Sequence, residues 1–227
     1  MYYLEFVFTF LLIPAIVLIL FKKKRTQTDT LGLIIHLIIA VLYTVPWDNY
    51  LIKNGIWYYD DKLITDTIFL IPIGEYLFIL LQTTLICLTI SPATFIYNKN
   101  TCFKYSSKGL FIGLLFLLSS IVLMFFTNSL YLSLILLWAS APFTVQLSIG
   151  FNVLKDNISV ISKYCFLFTI YFSIIDSYAL GKIWFIAERT SLGINIGNIP
   201  IEEIIFFCCT SLFVLNGMCL WFKLKLK

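Results

Sequence analysis

Apolar residues run along this chain in long stretches, broken at intervals by short clusters of charged and turn-forming residues. Runs of about 17–25 apolar residues are the length an α-helix needs to cross a bilayer. Seven such runs are visible, at roughly 3–21, 31–46, 68–90, 110–126, 130–150, 164–181 and 199–222. The pattern predicts an all-α, polytopic membrane protein with seven transmembrane helices. The first run is expected to remain in the protein, because its basic cluster Lys22, Lys23, Lys24 and Arg25 follows the apolar stretch, whereas a signal peptide carries its charge in front.

Composition agrees with the pattern. Of 227 residues, 60% are hydrophobic and 12% charged, far from a soluble domain. The six cysteines are scattered, mostly inside apolar runs, and a single histidine, His36, excludes a histidine-based metal cluster. His36 has no counterpart elsewhere and is read as a packing residue.

The charges that remain are sorted by loop. The first-to-second, third-to-fourth and fifth-to-sixth connections and the C-terminal tail hold 4, 3, 2 and 3 of the 16 Lys and Arg. By the positive-inside rule these segments are cytoplasmic and the N-terminus lies outside. Ten of the twelve acids fall on the outer side or in the outer ends of spans, Asp29 and Asp156 being the exceptions. The formal charge of +4 thus reflects topology, and no patch suited to nucleic acid is present.

A shift of 128 residues brings unusual positions into register: Pro14 with Pro142, Asp48 with Asp176, Pro72 with Pro200, and Glu75 with Glu203. With a one-residue slip, Gly55-Ile56-Trp57 lies over Lys182-Ile183-Trp184, and Phe78 falls on Phe206. Two three-span repeats share one orientation only if a further span separates them. The expected architecture is therefore 3+1+3, two parallel repeats about an axis along the membrane normal. Residues 1–98 form the first repeat, 99–129 the linker with the fourth span, and 130–227 the second repeat. Gly109 and Gly113, at small-xxx-small spacing in the linker span, point to close helix packing.

A charged side chain inside a span costs about 2.5–3.5 kcal/mol on insertion scales, so an intramembrane acid asks for a functional reason. The third and seventh spans begin Ile71-Pro72-Ile73-Gly74-Glu75-Tyr76-Leu77-Phe78 and Ile199-Pro200-Ile201-Glu202-Glu203-Ile204-Ile205-Phe206-Phe207. Proline suits a helix start, and an acid just after it complements the helix dipole. Capping alone does not explain acids among aromatic side chains, twice, at equivalent positions. Asp48 and Asp176 close the second span of each repeat, beside Trp47, Tyr50 and Trp57 in one and Trp184 in the other. Acid pairs there are placed to share or relay a proton, and aromatic faces to stabilise a cation.

At these residues the chain resembles the lycopene cyclase domain family, small integral-membrane carotenoid cyclases, in the fused form whose two homologous halves are joined through an extra helix. The matching segments are Pro46-Trp47-Asp48-Asn49-Tyr50-Leu51 with Gly55-Ile56-Trp57, Ile-Pro-Ile-x-Glu-Tyr-Leu-Phe ending in Gln82-Thr83, and Ile199-Pro200-Ile201-Glu202-Glu203 with Phe206-Phe207 and Asn216-Gly217. The family pattern has Pro-x-Glu-Glu in both halves; here Gly74 takes the first acid position of the first half. The resemblance implies cofactor-free, redox-neutral cyclisation of the ends of lycopene to β-ionone rings. The implied catalytic residues are Glu75 and Glu203, supported by Glu202, Asp48 and Asp176. Trp47, Tyr50, Trp57, Tyr76, Phe78, Trp184, Phe206 and Phe207 are the implied substrate wall. No metal site is expected. Partners are a lipid-soluble carotenoid, membrane lipid, and either a second copy of the chain or other carotenoid enzymes. The competing reading is a small transporter with 3+1+3 parallel repeats, which the scarcity of polar residues in mid-bundle argues against. A retinal photoreceptor needs a Schiff-base lysine in a late span, and the seventh has none before Lys223.

Overall fold

The computed structural model describes residues 1–21, 27–98 and 103–225. The basic cluster Lys22 to Arg25, as well as Lys99, Cys102 and Lys227, lies outside the described residues. Helices dominate: α1 (Tyr3–Val7), continued through a π-helical turn (Phe8–Leu12) into α2 (Ile13–Phe21); α3 (Gln27–Lys53); α4 (Ile73–Thr89); α5 (Ser107–Leu123); α6 (Leu130–Asp156); α7 (Ile158–Ala179); and α8 (Ile201–Lys225). Five helices are long and apolar enough to cross a bilayer: Tyr3–Phe21, Thr30–Lys53, Thr127–Asp156, Ile158–Ala179 and Ile201–Lys225. The chain is a membrane protein. Helices α4 and α5 are apolar as well but have 17 residues each.

Short antiparallel strands frame the helix starts. Strand β1 (Trp57–Tyr59) pairs with β4 (Trp184–Ile186), β2 (Thr67–Ile68) with β3 (Ile71–Pro72), and β5 (Asn195–Ile196) with β6 (Ile199–Pro200). The hairpins β2–β3 and β5–β6 repeat at the same 128-residue shift as the sequence motifs. Thr67 pairs with Pro72 as Asn195 does with Pro200. The first residue of each two-residue turn has positive φ, 58° at Phe69 and 64° at Gly197, as tight hairpins demand. The N–H of Ile73 reaches the Asp66 carbonyl at 3.0 Å, and that of Ile201 the Ile194 carbonyl at 2.9 Å. Each Pro-x-x-Glu helix is thus launched from a hairpin. Pro72 is the extended N-cap residue of α4 (φ −60°, ψ 147°), so this helix starts at Ile73, later than the apolar run suggested.

The chain forms two compact units, Met1–Ile90 with Ile174–Ala187, and Ser91–Ser173 with Glu188–Lys227. In the first, α1, α2 and α3 pack against α4, and the segment after α7 adds β4 to β1. In the second, α6 packs against both α5 and α8. The α5–α6 contact is close. A Cβ at Gly109 would lie 2.0 Å from the Leu147 carbonyl oxygen, and one at Gly113 would lie 2.2 Å from Thr144 Oγ1. The Ser133 hydroxyl donates to the Ser120 carbonyl across the same contact at 2.8 Å. No disulfide joins the described cysteines, although Cys165 and Cys208 in the second unit bring their sulfurs to 3.6 Å.

Candidate active site

In the first unit, three acids lie within one buried neighbourhood. Asp48 near the end of α3 is 1% exposed, Asp176 in the last turn of α7 is 1% exposed, and Glu75 in the first turn of α4 is 5% exposed. What gathers them is the N-terminal helix. The N–H of Tyr2 donates to Glu5 Oε2 at 2.9 Å, which organises the start of α1, and the Tyr3 N–H donates to the Leu63 carbonyl at 2.9 Å. Held in this way, the Tyr3 hydroxyl donates to Glu75 Oε2. The Tyr59 hydroxyl donates to the same oxygen at 2.9 Å. Asp48 and Asp176 both act electrostatically on the Tyr3 hydroxyl, and Asp48 also acts on that of Tyr59.

Burial, followed by the charges of Glu75, Tyr3 and Asp48, holds the Tyr59 phenol well above its ordinary pKa. It therefore stays protonated, and a donor, at any physiological pH. The strand pair β1–β4 delivers it. Tyr59 lies opposite Trp184 in register, and the ladder is extended at both ends by Asp60 N–H to the Ile183 carbonyl and Ala187 N–H to the Ile56 carbonyl, each 2.9 Å.

Aromatic rings wall this neighbourhood. Tyr3 packs on Trp184 at 5.1 Å between centroids and on Tyr59 at 5.9 Å. Phe6 meets Trp184 edge-on at 5.3 Å, Phe78 meets it edge-on at 6.5 Å, and Trp57 stacks on Tyr59 at 5.9 Å. Ring faces in a dry site attract positive charge, by about 2 kcal/mol for a well-placed desolvated cation. The indole N–H groups of Trp57 and Trp184 are buried and meet no acceptor among the described residues. Each such donor costs about 1–3 kcal/mol, so the two indoles are not placed here for hydrogen bonding within the fold.

The other wall residues anticipated from sequence are placed differently. Trp47 is half-buried. Tyr76 spends its hydroxyl on the Ile68 carbonyl at 3.1 Å and so braces the hairpin, while Asn49 Oδ1 accepts the Leu70 N–H at 3.2 Å and ties the same turn to α3. Tyr50 is 49% exposed.

The second unit repeats the theme. Glu202 and Glu203 open α8, 0% and 1% exposed. Tyr131 donates to Glu203 Oε1, the same bond as Tyr3 to Glu75 at the same separation of 72 residues. Glu202 Oε1 accepts from the Ser191 hydroxyl at 2.9 Å and from the Leu192 N–H at 2.6 Å. Its Oε2 is buried without a hydrogen-bond partner among the described residues. Phe206 packs on Trp138 at 5.7 Å and on Phe207 at 5.4 Å. Glu188 and Arg189 are exposed, as expected of a loop pair, and His36 Nδ1 lies 2.7 Å from the Gly32 carbonyl one turn earlier, in keeping with a local role.

Motif reading missed Tyr3, Tyr59 and Tyr131. The signal was available for two of them, since the 128-residue shift carries Tyr3 onto Tyr131. Tyr59 has no tyrosine counterpart.

Residues 2–86 and 128–220 match the family described as Lycopene cyclase. A protein of Halobacterium salinarum named lycopene beta-cyclase is 30% identical over 214 residues, covering 92% of this chain and 90% of the relative. A Leptosphaeria maculans protein named bifunctional lycopene cyclase/phytoene synthase is 31% identical over 229 residues, covering 90% of this chain and 38% of the relative. One of the same name in Gibberella fujikuroi is 30% identical over 216 residues, covering 87% and 36%. No solved structure matches the chain. The match spans both repeats and takes in Asp48, Glu75, Asp176, Glu202 and Glu203, and the chain belongs to the lycopene cyclase family.

Proposed function

We propose that the chain is a lycopene β-cyclase, closing the linear ends of lycopene to β-ionone rings, first to γ-carotene and then to β-carotene. The observation that carries this is the buried cluster Asp48, Glu75 and Asp176, threaded by the Tyr3 and Tyr59 hydroxyls and walled by Trp57, Phe78 and Trp184. The lycopene cyclase relatives weigh against the transporter alternative, and the cluster has the parts an apolar cyclisation needs.

In this mechanism a protonated carboxyl adds its proton to the terminal alkene. The cation so formed is attacked by a neighbouring double bond, which closes the ring and moves the charge onto it. A carboxylate then removes a ring proton and leaves a new double bond. One proton enters and one leaves, so the reaction is an isomerisation without net redox change. General acid–base steps of this kind contribute about 10²–10⁴-fold. Glu75 and Glu203 are the acid or base groups, with Glu202, Asp48 and Asp176 in support and the aromatic faces stabilising the cation.

The proposed setting is a seven-span, 3+1+3 protein of the cell membrane with its N-terminus outside and its C-terminus cytoplasmic, reached by a carotenoid dissolved in the bilayer. A second copy of the chain or other carotenoid enzymes are the proposed protein partners. Membranes containing the chain, supplied with lycopene and no flavin or nicotinamide, should yield monocyclic and then bicyclic carotene on chromatography. Lycopene unchanged at good expression contradicts the proposal.

A further inference from the structure

The two repeats hold the loop before their Pro-x-x-Glu helix in different ways. At position 202 the second repeat has a glutamate whose Oε1 pins the loop at Ser191 and Leu192. The equivalent position in the first repeat is Gly74, and the equivalent loop residue to Ser191 is Leu63. There the loop is held by the backbone of another residue, Tyr3, whose N–H donates to the Leu63 carbonyl at 2.9 Å. The same anchoring sets the Tyr3 ring against α4 at Gly74. A Cβ at position 74 would lie 2.6 Å from Tyr3 Cδ1 and 2.8 Å from Cγ, closer than side-chain carbons approach, and the ring is backed by Trp184 at 5.1 Å and Phe6 at 6.3 Å. With Gly74 vacant of side chain, the phenol reaches Glu75 Oε2 alongside Tyr59.

We infer that Tyr3 is the positioning residue of Glu75 and that Gly74 is the space its ring occupies in this repeat, the Tyr3 N–H taking over the loop-pinning that Glu202 performs in the second repeat, where Tyr131 reaches Glu203 beside that glutamate. Two phenol donors on one carboxyl oxygen fix the rotation of the Glu75 carboxyl group, so its orientation toward substrate is set by Tyr3 and Tyr59 rather than by its own rotamer preference. Tyr131 donates to Glu203 in the same way. The departure of Gly74 from the family's double acid is then a compensated exchange, and introducing glutamate there removes a positioning group instead of adding a catalytic one.

The inference rests on the cyclase reading, and a double-mutant cycle on the full chain in lycopene-accumulating cells and their membranes separates the two. Tyr3→Phe keeps every ring contact and loses only the donor. Turnover should fall about 10- to 100-fold, the worth of one hydrogen bond to a charged group, with KM unchanged. Gly74→Ala should fall to a similar degree by displacing the ring, and the double variant should be no worse than the poorer single one. Gly74→Glu should fall with them. Turnover of Tyr3→Phe at the parental level, additive losses in the cycle, or a gain in Gly74→Glu overturns the inference. The infrared carboxyl band assigned to Glu75 by its loss in Glu75→Gln should shift in Tyr3→Phe, and an unmoved band also overturns it. A parental chain that leaves lycopene linear contradicts the cyclase reading, while the infrared band still decides the role of Tyr3.

Discussion

A carboxyl group buried among aromatic rings is held there against its preference for water, and each of the five acids singled out here is nearly or fully sealed from solvent. Removing the ionisable oxygen while keeping the shape tests why. Glu75→Gln should lower cyclisation by about 10²-fold or more at unchanged membrane expression, measured by pigment chromatography normalised to protein; activity within twofold of the parent would show that Glu75 is a capping residue only. Glu203→Gln is expected to abolish cyclisation while leaving insertion intact, and full activity would remove it from the acid–base role. The carboxyls themselves were legible in the sequence, because a scarce charge inside an apolar run at two equivalent positions has few explanations. Their tyrosine partners were not. Tyr3 sits at the very start of an apolar run, where a tyrosine reads as an ordinary membrane-interface residue, and Tyr59 is brought to Glu75 by a strand pairing between residues about 130 positions apart that no local pattern encodes.

Among the elements, the long helices follow directly from the hydrophobic runs, whereas the hairpins leave almost no trace. Strands of two residues have no period to detect, and Ile68 to Ile73 reads as the opening of a span. What interrupts it is a turn with positive φ at Phe69, a conformation that costs a bulky side chain about 1–2 kcal/mol and that only its glycine counterpart, Gly197, advertises. Replacing Phe69→Gly should therefore stabilise the first unit by up to about 1 kcal/mol, and Gly197→Ala should cost about the same, both read by thermal unfolding in detergent. The glycines of α5 were legible as a packing motif, and their contacts explain it. Gly109→Val forces atoms toward the Leu147 carbonyl and should destabilise the α5–α6 contact by about 1–3 kcal/mol; unfolding at the parental temperature would show that the helices do not need that approach.

For the molecule as a whole, the internal repeat was the most informative feature of the sequence, since it aligned the acids, the hairpins and, once extended to its first residues, the Tyr–Glu bonds. It did not foretell that Asp176 and Trp184 of the second repeat fold into the compact unit that holds Asp48 and Glu75 of the first. That assignment depends on tertiary contacts rather than on order along the chain. Topology is open to direct test: single cysteines introduced in the Lys155–Lys163 region and after Lys225 should be shielded from an impermeant thiol reagent in intact cells, and one near Asp61 should react. The central claim, that buried carboxyls of this chain cyclise lycopene, is tested most directly by comparing the pigments of lycopene-accumulating cells that express the parent and Glu203→Gln at equal membrane levels. The account predicts cyclic carotenes from the parent and linear lycopene from the variant; linear lycopene from both, or cyclic carotenes in equal amount from both, contradicts it.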